Sequence, residues 1–91
     1  MLILTLELAL PGLRSLKARR GVLEPLKQRL RRDLNLSVSE LPTGDRPDRA
    51  RLGLAAVVQA RAQGDAQLEK IRSMVEREPR LTVLDEAIEY W

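Results

Sequence analysis

The stretch LILTLELAL, residues 2–10, alternates with a period of two. Leu2, Leu4, Leu6 and Leu8 fall on one side of an extended chain, and Ile3, Thr5 and Glu7 on the other. A helix would scatter both sets around its circumference, so this segment reads as a strand with one strongly apolar face. Pro11-Gly12 ends it. Such a face must be covered, and the next segment has the pattern to cover it. From Ser15 to about Arg32 the period changes, and steps of about 100° per residue bring Leu16, Val22, Leu23, Leu26 and Leu30 into one arc. This is an amphipathic helix with Ser15 suited to its cap. Pro25 lies inside it. Its ring meets the carbonyl of residue 21 and it has no N–H to give, so a kink at Gly21-Pro25, or a restart near Val22, is expected.

Alternation returns in LNLSVSEL, residues 34–41, with Leu34, Leu36 and Val38 on one face and Asn35, Ser37 and Ser39 on the other. PTGDRPDR, residues 42–49, is a polar connector, long for a hairpin and expected to be mobile at its tip. ARLGLAAVVQA, residues 50–60, reads as the third strand. Leu52, Leu54, Ala56 and Val58 line one face, with Gly53, Ala55 and Val57 behind. GDAQLEKIRSMVEREP, residues 64–79, reads as a second helix capped by Asp65 and stopped by Pro79. Leu68, Ile71 and Val75 form its seam, with Met74 alongside. RLTVLDEAIEYW, residues 80–91, is the last strand, and Val83-Leu84 interrupts its alternation as a β-bulge would.

The order βαββαβ in a single domain, residues 1–91, predicts an α+β two-layer sandwich. Four antiparallel strands carry two helices on one face, and right-handed crossovers give the spatial order 4-1-3-2.

Composition narrows the chemistry. The chain has no Cys and no His. Disulfides, thiolate zinc sites, thiol nucleophiles and imidazole bases are excluded together. Ser15, Ser37, Ser39 and Ser73 have no His partner, the one Lys nearby, Lys17 beside Ser15, suits a helix cap better, and Asp45 with Asp48 would need further ligands to hold Mg²⁺. No catalytic residue, metal or cofactor is assigned, and the protein is expected not to be an enzyme. MLILTLELAL carries Glu7 and no basic leader, so it is read as neither a signal peptide nor a membrane span. A cytoplasmic location is the expectation.

The net charge of +3 is unevenly spread. Residues 14–32 hold eight cations against Glu24 alone, a local +7, whereas residues 65–91 carry a local −3. On the wheel Arg19 falls inside the apolar arc. Glu40 continues the inward set of Leu36 and Val38 at the same end of the fold, so Arg19 and Glu40 are expected to form a structural ion pair. Lys17, Arg20, Lys27 and Arg31 fall on the opposite stripe, interrupted by Glu24, with Arg14 and Arg32 to one side. That stripe is either a solvated helix face or a row of phosphate contacts, aided by the free N–H groups of the helix start. Lys17 stands where the helix dipole disfavours a cation, so something else is expected to compensate. Base stacking on the sheet is not expected, because the central strands offer no ring and the only aromatics are Tyr90 and Trp91.

Two local patterns carry a family resemblance. SLKARR, residues 15–20, and NLSVSE, residues 35–40, resemble the YlxP-like family of small bacterial proteins of unassigned function. That family has Ser-Leu-Lys-x-Lys-Arg early in its first helix and Asn-Val-Ser-Val-Ala-Glu in its second strand. Ser15, Leu16, Lys17 and Arg20 match the first pattern, with Arg19 in the usual Lys position. Asn35, Ser37, Val38 and Glu40 match the second, and ARLGLA resembles the third-strand pattern. The likeness runs along essentially the whole chain. It implies a ferredoxin-like fold and a gene neighbourhood of translation-initiation and ribosome-maturation factors. The connector departs from the family. Pro42, Thr43 and Pro47-Asp48 replace Asp, an aromatic or His, and a later Trp-Gln-Arg, leaving Asp45 and Arg49; a role resting on that Trp does not carry over.

Two functions fit these features. The first is a non-catalytic RNA- or ribosome-associated module using Lys17, Arg20, Lys27 and Arg31 with Arg46, Arg49 and Arg51 of the connector. The second is a homodimeric protein-interaction module using the open sheet face (Ile3, Ala55, Val57) or the last strand, with the basic helix merely solvated.

Overall fold

A computed structural model describes all residues, Met1–Trp91. Strand β1 (Leu2–Ala9) lies at the centre of the sheet because its leucine ladder demands cover along its full length. Strand β3 (Arg49–Ala56) pairs with one side of it and β4 (Thr82–Tyr90) with the other, both antiparallel. Strand β2 (Ser37–Leu41) lies outside β3, giving the order β2-β3-β1-β4. Helices α1 (Leu16–Leu34) and α2 (Arg61–Glu76) cover one face. There Leu2, Leu4, Leu6 and Leu8 meet Ala50, Leu52 and Leu54 of β3, Val22, Leu23, Leu26 and Leu30 of α1, and Leu68, Ile71 and Val75 of α2, all buried. Each such leucine contributes about 2 kcal/mol on leaving water. The other face of the sheet is open, with Ile3 opposite Ala55, Thr5 opposite Gly53 and Glu7 opposite Arg51.

Ser15 caps α1, its hydroxyl accepting from the Ala18 N–H at 3.0 Å. The helix does not restart near Val22; it runs unbroken through Pro25. Gly21 and Pro25 both face solvent, where water can serve the carbonyl that Pro25 leaves without a donor. Leu16, at the first turn, is 43 % exposed and does not join the buried arc. Leu34 belongs to the last turn of α1 instead of β2. Asn35 ends the helix in the left-handed conformation (φ 53°), which Asn tolerates better than most residues.

Two further boundaries differ from the sequence reading, at the end of β3 and the start of α2. β3 stops at Ala56, beyond which neither neighbour continues: Ala56 faces Leu2 of β1, and Ser37 of β2 faces Ala55. Val57 therefore leaves the sheet and is 85 % exposed. α2 begins at Arg61, its cap is Ala60, and the side chain of Gln63 accepts from the Gln59 N–H. Asp65 is thus inside the helix, where it accepts from the Tyr90 hydroxyl at 3.0 Å. Gly64 is buried beneath that ring: a Cβ there would lie 2.6 Å from Tyr90 Cε1. Along β4 the register jumps between Asp85, opposite Glu7, and Val83, opposite Leu8, leaving Leu84 as the bulged residue.

The turn after α2 is fixed by an ion pair. Glu78 is buried, receives both the backbone N–H and the guanidinium of Arg80, and is held down at a pKa of about 2, chiefly by that guanidinium. No helix is long and apolar enough to cross a membrane.

Candidate nucleic-acid interface

The C-terminal end of β1 gathers most of the predicted cations. Ala9 faces Arg49, and Arg51 faces both Glu7 of β1 and Leu41 of β2. Helix α1 starts at that end after a tight turn at Pro11-Gly12, and the connector between β2 and β3 crosses it. Leu10 fastens the connector by donating its N–H to the Asp48 carbonyl at 2.8 Å.

Within this end Arg19 reaches Glu40 at 3.1 Å, and its side chain is only 12 % exposed. The pair borders a cleft of about 340 Å³ lined by Arg19, Glu40, Pro42, Thr43, Gly44 and Asp45. Arg19 Nε and Thr43 Oγ1 are buried beside it without a protein partner. Arg19→Met should cost about 0.5–1 kcal/mol in urea unfolding, since Glu40 is exposed enough to be rehydrated. A loss above 2 kcal/mol would mean that the pair is more deeply desolvated than this geometry shows.

The cations divide by what they touch. Lys17 and Arg20 are exposed and take part in none of the ion pairs. They stand in the first turns of α1, which hold no acidic residue. Arg49 is half-buried and also unpaired. Arg46 binds both oxygens of Asp48, and its guanidinium is the main cause holding that carboxyl below its ordinary pKa. Arg51 pairs with Glu7 and donates to the Pro42 carbonyl, tying the connector to the open face.

Lys27 requires a correction. It is expected on an outward stripe with Arg31, but at about 100° per residue it lies only about 40° from Leu23, at the border of the buried arc, whereas Arg31, about 40° further round, is exposed. Lys27 is only 8 % exposed; its stem packs down while its ammonium meets Glu24 at 2.5 Å. That contact is the first cause lowering the Glu24 pKa. Arg31 donates to the Val38 carbonyl of β2 at 2.7 Å. Lys27 is therefore not free beside Lys17 and Arg20, while Arg31 is exposed with one of its donors committed to β2.

The surfaces suggested for a second copy differ in kind. Ile3 and Ala55 lie on the open face beside Thr5, Ser37, Ser39 and Gly53, around a shallow depression. Leu41 folds over Gly53, where a Cβ would come within 3.2 Å of it. Val57 is not part of this face.

A four-stranded antiparallel sheet in this order, with two helices on one face and cations concentrated at one end, defines a ferredoxin-like α+β sandwich. A de novo designed protein with a ferredoxin fold, solved by solution NMR, superposes with a TM-score of 0.51 over 100 % of this chain and 88 % of that one, at 13 % identity. The chain belongs to the family described as Protein of unknown function (DUF503), whose model matches residues 1–88. It is 31 % identical over 67 residues to the Uncharacterized protein YlxP of Bacillus subtilis (strain 168), which spans 74 % of this chain and 73 % of that protein.

Proposed function

We propose that this protein is a non-catalytic, cytoplasmic RNA-binding module, associated with the ribosome or its RNA, that grips phosphates with the basic end of the sandwich. The observation that carries this reading is the pair Lys17 and Arg20: exposed, unpaired, and set at a helix start without any acidic residue. Alone, two cations there oppose the helix dipole. A phosphate beside them reverses the sign, meeting both cations and the free N–H groups of the first turn. Arg49 adds a third contact, and Arg46 can exchange Asp48 for a phosphate. Glu40 and Asp45 on the cleft rim repel an anion, so the phosphates belong on the outward cations and not inside the cleft. The gene neighbourhood implied by the YlxP-like resemblance points the same way.

With about three phosphate contacts, the logarithm of the affinity falls against the logarithm of salt with a slope of about −2 to −3. Lys17→Glu with Arg20→Glu should weaken binding to a structured RNA by about 30-fold, and to ribosomes in co-sedimentation likewise, without lowering the unfolding midpoint, since acids suit the start of a helix. Binding that ignores salt, or survives this double reversal, overturns the proposal. The competing reading, a second copy on the open face around Ile3 and Ala55, is decided by molar mass from light scattering.

A further inference from the structure

The two edges of the sheet are unlike. β2 is five residues long, and Arg31 from α1 occupies its Val38 carbonyl. β4 is nine residues long, and no side chain of another element bonds its outer backbone. Met1 and Trp91 exchange both backbone hydrogen bonds across the β1–β4 pair. Alternation along an antiparallel ladder then turns the peptide groups of Glu86, Ile88 and Tyr90 away from β1, to the free edge. The Glu86 N–H on that edge is met by the carboxylate of its own neighbour, Asp85, at 2.9 Å.

Charge selects what can pair there. β4 carries Asp85, Glu86 and Glu89 and no cation. Arg72 neutralises Glu86 from α2, whereas Asp85 and Glu89 have no ion-pair partner. Two copies of β4 side by side would bring acids together without a base, so the edge rejects a second copy of itself. On the helix side, by contrast, Ile88 is 39 % exposed. Two hollows there flank the Arg72–Glu86 bridge, a mainly apolar one of about 170 Å³ against Ile71, Val75 and Val83, and one of about 420 Å³ in which Leu68, Ile88 and Tyr90 are rimmed by Arg61, Asp65 and Glu69. A strand added to this edge would meet Asp85 and Glu89 with one set of alternate side chains and Ile88 with its two hollows with the other.

We infer that the β4 edge is a docking site for an extended protein segment in which Lys or Arg alternates with apolar residues. On docking, a carbonyl of the incoming strand replaces the Asp85 carboxylate at the Glu86 N–H. The freed carboxylate then meets an incoming cation. The bulge at Leu84 limits the paired region to Asp85–Tyr90.

The test titrates the full chain with a capped peptide alternating Lys and Val, beside one alternating Glu and Val, and follows amide exchange by NMR. The Lys/Val peptide should slow exchange at Glu86, Ile88 and Tyr90 at least about tenfold, and the Glu/Val peptide should not. Asp85→Lys with Glu89→Lys should weaken binding about tenfold or more, from two attractions turned to repulsions. Lys17→Glu with Arg20→Glu should leave it unchanged, so this site and the RNA reading fail separately. Equal protection by both peptides, protection elsewhere, or a free protein that is already a dimer through β4 would overturn the inference. The peptide comparison on the unaltered chain stands even if the lysine variant does not fold.

Discussion

Lys27→Glu should cost about 3–4 kcal/mol of stability, while Lys27→Met should stay within about 1 kcal/mol of the parent. Lys27 is 8 % exposed and its ammonium pairs with Glu24, whose side chain is 42 % exposed. A glutamate in its place would bury a carboxylate next to another carboxylate, with only the exposed Arg20 and Arg31 near enough to offset the charge. The penalty is desolvation joined to repulsion. Methionine keeps the packed stem, and Glu24 is open enough to be rehydrated once its partner is gone. Urea unfolding reads the difference as a lowered midpoint at unchanged slope. Equal stability of Lys27→Glu and the parent would show that the side chain is free in solution. The result bears directly on function. Reversing Lys17, Arg20, Lys27 and Arg31 together would mix a loss of stability at Lys27 with the loss of surface cations, whereas the pair Lys17 and Arg20 changes only exposed charge.

Why Lys27 misleads is instructive about what a sequence carries. Periodicity gives a residue's angle about its helix axis but not which neighbour lies at that angle. Lys27 is charged and so groups with the polar stripe, although its angle lies only about 40° from Leu23, at the border of the apolar arc; Arg31, about 40° further round, stays exposed and still reaches the β2 backbone. Arg19 sits in the apolar arc itself, and there the wheel alone locates it on the sheet side, at the end where Glu40 points the same way. The leucines of β1 are legible for the same reason, since a period of two admits one assignment. Val83-Leu84 shows its bulge because two adjacent apolar residues cannot both face the helices.

The missed boundaries each depend on contacts distant in sequence. Val57-Val58 continues an apolar pattern, but β3 ends where β1 and β2 cease to flank it. Gly64-Asp65 resembles a helix start, yet Gly64 is a glycine because the Tyr90 ring lies against it, and Asp65 holds that ring's hydroxyl. Of the seven cations read as a binding face, the structure leaves Lys17, Arg20 and Arg49 unpaired. The partners of the others, Glu24, the Val38 carbonyl, Asp48 and Glu7, include local neighbours and residues brought in by the fold.

Leu4→Ala should cost about 4 kcal/mol, roughly half the stability expected of a domain this size. Leu4 is wholly buried in the middle of β1, between Leu54 of β3 and Ile88 of β4 and beneath both helices. Removing its branch leaves a void that the two paired neighbours cannot close, because the ladder fixes their backbones. Leu6, two residues on, is nearly as buried but borders the hollow between α2 and β4. Its truncation extends a space already open on one side, where Val83 and the long side chain of Arg72 can move inward. Leu6→Ala should therefore cost less, about 2–3 kcal/mol, and the order of the two variants in urea unfolding is the informative quantity. If Leu6→Ala proves the costlier, the hollow is closed in solution. A closed hollow would also deny an incoming strand one of its apolar seats beside β4, leaving the charge of Asp85 and Glu89 to hold it.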